Sequence, residues 1–434
     1  NNKEHGKDKG QYEIYSTVIN RKMKITGQSV LIEDPKLTGQ NNTNIMSATF
    51  GTAGYQDPFN NIAMESDRLN IDSTGNILGN AAYRDTGRGY NPNYQIKGVG
   101  LYMGNSLNRW KDLKAAADTS NWEKTPNTFA GIINEGKVDI WGGKADSPIS
   151  SLYVQFGTLE NKGASAVVAV DHGNALVATD GSFIRNTNGA KVIASGVYNP
   201  DSNIGGTVRG TTETKATGEN YGIVGISDTD YTHNETDNSL EITNENSAIY
   251  AAGKLATGIL GVNNNAKQNK VTINFKNTTA GTDGIDVRNN EAADEDNSRG
   301  VGIALINGKT SSSTNGGVIN LTGVDGNTIA DYANNATTKY SKFDIATTTS
   351  APALTLALNK NDIAAGKNGI GIYAEDAQIN VNSKKFTVET KDNGVGLWGM
   401  DNTTVGSKGK TFQYNYNGAT NKNGFAMAFG AKHK

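Results

Sequence analysis

The chain has 434 residues, of which 35% are hydrophobic and 52 are glycine, and its formal net charge is −2. A charge so close to zero gives no electrostatic case for nucleic-acid binding. Four histidines and no cysteine argue against disulfides, cysteine chemistry and a transition-metal site. No apolar run approaches about 20 residues, so the sequence predicts no membrane-spanning helix.

Residues 1–130 are the least regular part of the sequence and predict a cap or head. Five of the seven prolines and three of the four tryptophans fall in the first 150 residues. Within this part, the segment 106–118 reads SLNRWKDLKAAAD and places apolar residues at steps of three and four. That spacing, with a serine that can cap the first turn, predicts a short helix inserted in a loop.

A six-residue repeat phrase returns three times near the C-terminal end. It reads KNGIGI from Lys367, DNGVGL from Asp392 and KNGFAM from Lys422. The steps of roughly 25 and 30 residues are typical of stacked repeats. Short runs of alternating apolar residues, separated by Gly and Asn turns, lie between the copies. They predict about three strands for each step, which describes one coil of a parallel β-solenoid.

The sequence therefore predicts an all-β fold, with parallel β-helix coils over 131–434 after the head at 1–130. Polar surface excursions are expected at 199–220, 286–299 and 324–352, which carry too few apolar residues for a core of their own. Clean strands are predicted at 271–275 and 354–358. About a dozen to fifteen coils would make a rod on the order of 60–75 Å long.

The repeat phrase also predicts a register. Ile370, Val395 and Phe425 should form one inward column, and Ile372, Leu397 and Met427 the next. The glycine that follows the asparagine is expected to supply a positive φ at a corner. The second glycine, as in Gly371, is expected on the outward face between two inward apolar residues.

Acidic residues offer the only candidates for catalysis or metal binding. Asp228 with Asp230, and Asp294 with Asp296, could act as the acid and base of a glycosidase. The acidic run from Glu291 through Glu295 to Asp296 could hold Ca²⁺, although it lacks the spacing of a known calcium loop. Solvated loop residues are the commoner meaning of both patterns. We therefore predict no catalytic residue, metal ion or cofactor, and no enzyme.

The histidines do not form a site in the sequence. They are scattered in polar stretches, and each is expected at the surface: His5, His172, His233 and His433.

Aromatic residues of the head are the predicted binding residues. They stand beside Asn, Asp and Arg, the mixture found in sugar sites and in protein–protein hot spots. The alternative is that their rings plug the open end of the solenoid. The residues are Tyr90, Tyr94, Arg109, Trp110, Asp112 and Trp122.

The repeat phrases, the Asn- and Lys-rich composition and the absence of cysteine resemble passenger domains of bacterial autotransporters. The similarity covers roughly residues 128–430 and is greatest to the large outer-membrane adhesins of fusobacteria. The resemblance implies a right-handed parallel β-helix, anchored at the bacterial surface by a C-terminal β-barrel in the outer membrane. That barrel is absent from this sequence, which we interpret as a processed or excised piece without a signal peptide.

The resemblance also implies the partners. They are host cell-surface glycans (galactose-type sugars among them), host protein receptors or other bacteria, with no membrane insertion by this part of the chain. We therefore predict a cell-surface adhesin. Two alternatives stay open at this point, a glycan-cleaving β-helix enzyme and a spacer stalk that binds nothing.

Overall fold

The computed structural model describes the chain in segments. They are residues 24–25, 29–32, 62–65, 68–71, 76–80, 99–104, 131–141, 145, 148–155, 157–170, 172–179, 181–194, 196, 217–227, 240–263, 271–279, 284–289, 299–307, 317–323, 362–406, 408–416 and 423–431. The predicted helix at 106–118, the strand at 354–358 and the excursion at 324–352 lie outside them.

The described elements are thirty β-strands in three parallel sheets of ten strands each. The first sheet contains β1 (Lys24–Ile25), β4 (Arg68–Ile71), β7 (Gly131–Asn134), β10 (Thr158–Lys162), β13 (Phe183–Thr187), β16 (Leu240–Glu245), β19 (Val271–Lys276), β22 (Gly317–Thr322), β25 (Ala377–Val381) and β28 (Thr404–Gly406).

The second sheet contains β2 (Ser29–Ile32), β5 (Asn76–Asn80), β8 (Lys137–Trp141), β11 (Val167–Val170), β14 (Lys191–Ala194), β17 (Ala248–Gly253), β20 (Ile285–Asn289), β23 (Ile363–Ala365), β26 (Lys385–Thr390) and β29 (Thr411–Tyr416). The third sheet contains β3 (Ile62–Glu65), β6 (Val99–Gly104), β9 (Ile149–Gln155), β12 (Gly173–Thr179), β15 (Glu219–Ser227), β18 (Leu255–Asn263), β21 (Arg299–Asn307), β24 (Ile370–Glu375), β27 (Val395–Met400) and β30 (Phe425–Gly430).

Successive strands enter successive sheets, so three strands make one coil and each strand pairs with the strand three places later. This arrangement confirms the predicted all-β fold, a parallel β-helix. The predicted strand at 271–275 is β19. The described residues form ten coils, fewer than predicted, because connections such as that from Thr322 to Ile363 are long. Nine spacings of about 4.8 Å make the stack about 43 Å long.

The coil pattern begins before residue 131. The six strands β1 to β6 lie within 1–104 and belong to the same three sheets. The separation of a head at residue 130 stays a prediction. Two predicted excursions overlap strands at their edges, because β20 continues to Asn289 and β15 starts at Glu219.

The core is a set of vertical columns of branched aliphatic residues. Parallel pairing in register places the same kind of side chain above itself in each coil. One column of the third sheet is entirely shielded from solvent: Ile223, Ile259, Ile303, Ile372 and Leu397. Similar columns of the first and second sheets, from Ile184 to Ile379 and from Val192 to Val388, meet it along the axis. Burial of this apolar area is the main stabilising contribution in a chain without disulfides.

The second glycine of the phrase faces the core, so the expectation of an outward position was wrong. A Cβ atom on Gly302 would lie 2.3 Å from Ile363 Cγ2 and 2.5 Å from the Gly371 carbonyl oxygen. Gly222, Gly258 and Gly371 would clash with the facing second-sheet side chain in the same way. The next residue, such as Ile303, also faces inward. A bend between these two inward residues interrupts the alternation that the prediction assumed.

The predicted columns are correct in register but only one is a core column. Ile372 pairs with Leu397, which pairs with Met427, as predicted. Ile370 pairs with Val395 and Val395 with Phe425, but Ile370 and Val395 lie outside the core cluster. Ile370 and Val395 are nevertheless buried, at 6% and 8% exposure. Phe425 and Met427 are 57% and 41% exposed, because β30 is the edge strand of its sheet.

The corner asparagines adopt the left-handed conformation, in place of the glycines that follow them. Asn368 has φ +54° and Asn393 has φ +58°, a conformation that asparagine tolerates better than most residues. Gly394 is required for a different reason, because a Cβ there would lie 2.0 Å from Thr390 Oγ1. The expectation that the glycine supplies the positive φ was therefore wrong.

A buried ladder of amides runs through the N-terminal half of the first sheet. Asn134 Nδ2 donates to Asn161 Oδ1 at 2.8 Å, Asn161 Nδ2 to Asn186 Oδ1 at 2.9 Å, and Asn186 Nδ2 to Asn244 Oδ1 at 2.8 Å. All four side chains are shielded from solvent. In the next coil Phe275 takes this position, and its ring meets that of Phe386 edge to face at 5.6 Å. The column therefore changes from hydrogen-bonded to apolar within one molecule.

Gly302→Ala should lower the stability of the rod, because the new methyl group has no room between two coils. Overpacking of this kind costs about 1–3 kcal/mol. The control is Gly406→Ala, where the nearest atom to the new Cβ is 3.4 Å away. The measurement is the midpoint of urea unfolding. Equal midpoints for the two variants would contradict the inward position of the glycine.

Asn186→Ala should cost about 1–3 kcal/mol, because it removes the donor to Asn244 Oδ1 inside the core. Asn320→Ala is the matched control. Asn320 donates to Asn274 Oδ1 at 2.9 Å in an outward, partly exposed ladder, where water replaces the lost partner. We expect a change within about 0.5 kcal/mol for the control. Equal losses of stability in thermal unfolding would contradict a larger contribution from the buried ladder than from the outward one.

Candidate functional site

The predicted head site lies outside the described residues. This holds for Tyr90, Tyr94, Arg109, Trp110, Asp112 and Trp122. The acid pairs at 228–230 and 294–296 also lie outside. These sites stay predictions, and the surface of the described coils provides a further candidate.

His172 is the one histidine that the structure describes, and its expected surface position was wrong. The residue is 1% exposed, at the corner before β12. Its Nε2 lies 3.0 Å from Thr217 Oγ1, and its carbonyl oxygen accepts a hydrogen bond from the Ile149 amide. The sequence around His172 is polar, which predicts exposure, but the coils enclose the corner in which the residue lies. The contacts indicate a structural role.

Neither a cluster of metal-binding side chains nor a membrane-spanning helix occurs within the described segments. No group of three or more His, Asp or Glu side chains there could hold a metal ion. The described part of the chain contains no helix that is long and apolar enough to cross a membrane. Calcium binding at 291–296 is not tested by either observation, because those residues lie outside the described ranges.

The outward face of the first sheet is polar. Its central row pairs Glu160 with Arg185 and continues through polar side chains to Asn380. Burial lowers the pKa of Arg185, while the negative charges of Glu160, Glu241 and Glu245 oppose that shift. Arg185 thus lies among three carboxylates, an arrangement that favours its charged form.

The outward face of the second sheet is closed to solvent over six coils. Its central row is in register and every member is at most 3% exposed: Ala169, Ile193, Tyr250, Asp286, Ala364 and Glu389. This row cannot present a binding surface without a rearrangement.

The outward face of the third sheet is apolar. We call its central row the tyrosine row: Tyr153, Val177, Val224, Leu260, Ala304, Tyr373, Trp398 and Ala428, paired in register. None of them belongs to the core cluster. Beside it Ile226, Val262 and Ile306 form a second outward row. Val177, Val224 and Ala304 are buried, at 5% exposure or less, whereas Leu260, Tyr373 and Trp398 are partly exposed. Partly exposed apolar side chains in one row are a candidate interaction surface.

Two rings give the tyrosine row its most distinctive feature. Tyr373 and Trp398 occupy equivalent positions of β24 and β27. Their centroids are 6.2 Å apart and their planes meet at 75°, an edge-to-face contact. Both side chains are partly exposed. Trp398 Nε1 lies 3.1 Å from Met400 Sδ, so the indole is held on two sides.

Carboxylates and amides at the end of these strands fix the rings and the adjoining corner. Tyr373 donates its hydroxyl proton to Glu375 Oε1 at 2.6 Å, and the Asn307 amide donates to Glu375 Oε2 at 3.0 Å. Asp376 accepts hydrogen bonds from the side chains of Asn307 and Asn402 at 2.9 and 3.0 Å. The corner thus joins three successive coils by polar contacts.

The electrostatic environment of Tyr373 is negative. Burial raises the pKa of its phenol most, followed by the hydrogen bond to Glu375 and the charges of Glu375 and Asp401. A similar pair lies in β15, near the middle of the same sheet, where burial and Glu219 raise the pKa of Tyr221 to about 12. Both phenols are therefore neutral hydrogen-bond donors at physiological pH.

Sequence reasoning missed this site although the repeat phrase contains it. The phrase reads GIGIYAED in one coil and GVGLWGMD in the next, so Tyr373 and Trp398 stand at equivalent positions. The position after the buried Ile372 and Leu397 is outward by simple alternation. Alternation alone does not show which of the three outward faces stays open to solvent, so the rings were not predicted as a site.

Comparison of the chain with protein-family models, curated proteins and solved structures gave no match. The fold and the surface described above therefore stand on the structure alone.

Adjacent residues of β27 provide a test of which face is outward. Leu397→Ala should cost about 2–5 kcal/mol, because it opens a cavity in the core. Trp398→Ala should cost clearly less, since the indole is partly exposed and outside the core cluster. Thermal unfolding of the two variants measures the difference. A larger loss for Trp398→Ala would reverse the assignment of faces.

Proposed function

We propose that the chain is a binding segment of a bacterial cell-surface adhesin, a β-helical passenger that attaches through its outward surfaces. Its partners are host cell-surface glycans, host protein receptors or other bacteria. The placement at the cell surface rests on the resemblance to autotransporter passengers, which the comparisons neither support nor oppose.

The observation that carries the proposal is the difference between two faces of the same rod. The first sheet turns Glu160, Arg185 and asparagines outward, whereas the third sheet turns Leu260, Tyr373 and Trp398 outward. Coil-on-coil packing needs only the inward rows, and Leu260, Tyr373 and Trp398 stay partly exposed in the folded chain. Aromatic anchors among apolar neighbours are typical of binding hot spots. This favours an adhesin over a spacer stalk.

The glycan-cleaving alternative has less support near the rings. Glycosidases need two carboxyl groups placed around a scissile bond. Glu375 is 4% exposed and accepts hydrogen bonds with both carboxylate oxygens, and both oxygens of Asp376 also accept hydrogen bonds. These carboxylates support the corner, which favours a binding role for the surface beside them.

Leu260→Lys should reduce attachment of the purified chain to epithelial cells or partner bacteria by about tenfold, because a charge replaces an apolar contact at the centre of the face. The matched control is Val318→Lys on the outward face of the first sheet, where Val318 is also partly exposed. Attachment is measured by flow cytometry with labelled protein, and circular dichroism verifies the β-sheet signal.

Three other outcomes have different meanings. Equal attachment of both variants, combined with loss on deletion of 106–118, would place binding in the predicted head and overturn the role of the third sheet. No attachment by the wild-type chain to any tested cell would contradict the adhesin. Cleavage of a glycan during the assay would favour the enzyme.

A further inference from the structure

We infer that Tyr373 and Trp398, with the corner that follows their strands, form a subsite for a neutral saccharide. The inference rests on the proposed function and adds to it a location and a class of ligand.

The two rings offer an aromatic surface, here called the platform, against which a saccharide could pack. A pyranose presents an apolar face of C–H groups, which packs against an aromatic ring. Tyr373 and Trp398 stand side by side in register, partly exposed and in edge-to-face contact. Their neighbours in the tyrosine row are Ala304 and Ala428. Because the alanine side chains are short, the two rings project further from the sheet than their neighbours in the row.

The groups that could bind hydroxyls lie at the ends of the same strands. Asp401 and Asn402 are exposed in the turn directly after β27, and the side chain of Asn402 is held by Asp376 Oδ1 at 3.0 Å. The Tyr373 hydroxyl donates to Glu375, which leaves its oxygen lone pairs to accept a hydrogen bond. Rings beside fixed carboxylate and amide groups are the combination that binds a polyol with an apolar face.

The local charge determines which saccharides fit. The charges that act on Tyr373 are those of Glu375 and Asp401, both negative. A sialylated, sulfated or uronic-acid sugar would bring a second negative charge close to them and would be repelled. A neutral saccharide has no such penalty. The subsite therefore selects by charge as well as by shape.

Each ring is also positioned by a side chain two residues further along its own strand. Glu375 is buried, and it receives both the Tyr373 hydroxyl and the Asn307 backbone amide. Trp398 is restrained by Met400. A platform that is already ordered loses little conformational entropy when a ligand binds.

The test is an array with matched neutral, sialylated and sulfated oligosaccharides, probed with the labelled 434-residue chain. The expected result is binding to neutral members, at least tenfold weaker for Trp398→Ala and for Tyr373→Ala. Tyr153→Ala, in the same outward row but five coils before Tyr373, should bind like the wild type. Asp401→Asn should raise binding to the sialylated members, because it removes one of the two repelling charges.

Several results would overturn the subsite. They are no binding to any array member, binding that both ring variants retain, and a preference of the wild type for anionic sugars. Loss of binding in Tyr153→Ala as well would indicate a general effect on the rod, and it would also overturn the assignment. Melting temperatures of the variants identify any that fail to fold, and Tyr373→Phe, which keeps the ring, should then retain most of the binding.

Cell attachment measured in parallel separates this inference from the proposed function. One outcome is that the wild type binds no glycan while Trp398→Ala attaches to cells as well as the wild type does. That outcome would contradict the saccharide subsite but not the adhesin. Glycan binding without cell attachment would support the saccharide subsite and contradict the adhesin.

Discussion

Parallel pairing in register is the constraint on which the whole structure depends. A strand pairs with its counterpart one coil away, so each side chain lies over the same position of the next coil. Identical branched residues stack into columns such as Ile223 to Leu397, and buried asparagines stack into a hydrogen-bonded ladder. The same constraint fixes the glycines. A bend brings two successive residues to face a narrow interior, and from Gly222 to Gly371 the first of them has no space for a side chain.

Register has a second consequence, on the outside of the rod. Outward residues are also aligned from coil to coil, so that neighbouring side chains form continuous rows on each face. The first sheet becomes polar, the second is enclosed and the third is apolar. A small number of substitutions in a repeat can thus produce a surface several coils long. The pair of rings at Tyr373 and Trp398 arises in this way, from one position of two successive repeats.

The repeat phrase was sufficient to predict the coils, the number of strands in each coil and the pairing of Ile372 with Leu397. Alternation failed where the chain bends, since it places Gly371 outward although the facing Val388 shows that it is inward. Composition gave the wrong prediction of exposure for His172, because a polar stretch can still be buried at a corner between strands. The outward rings were not predicted, since a sequence with three equivalent strand types does not show which face is left open. The head site of residues 90–122 stays a prediction.

Hydroxyl-radical footprinting of the chain on its target cells tests the central claim most directly, because it reports which side chains become shielded upon attachment. The account predicts protection of Tyr373, Trp398 and Met400, on the third sheet, with unchanged reactivity of Phe183 on the first sheet. Protection confined to the aromatic residues between Tyr90 and Trp122, with Tyr373 and Trp398 as reactive as in the free protein, would contradict it.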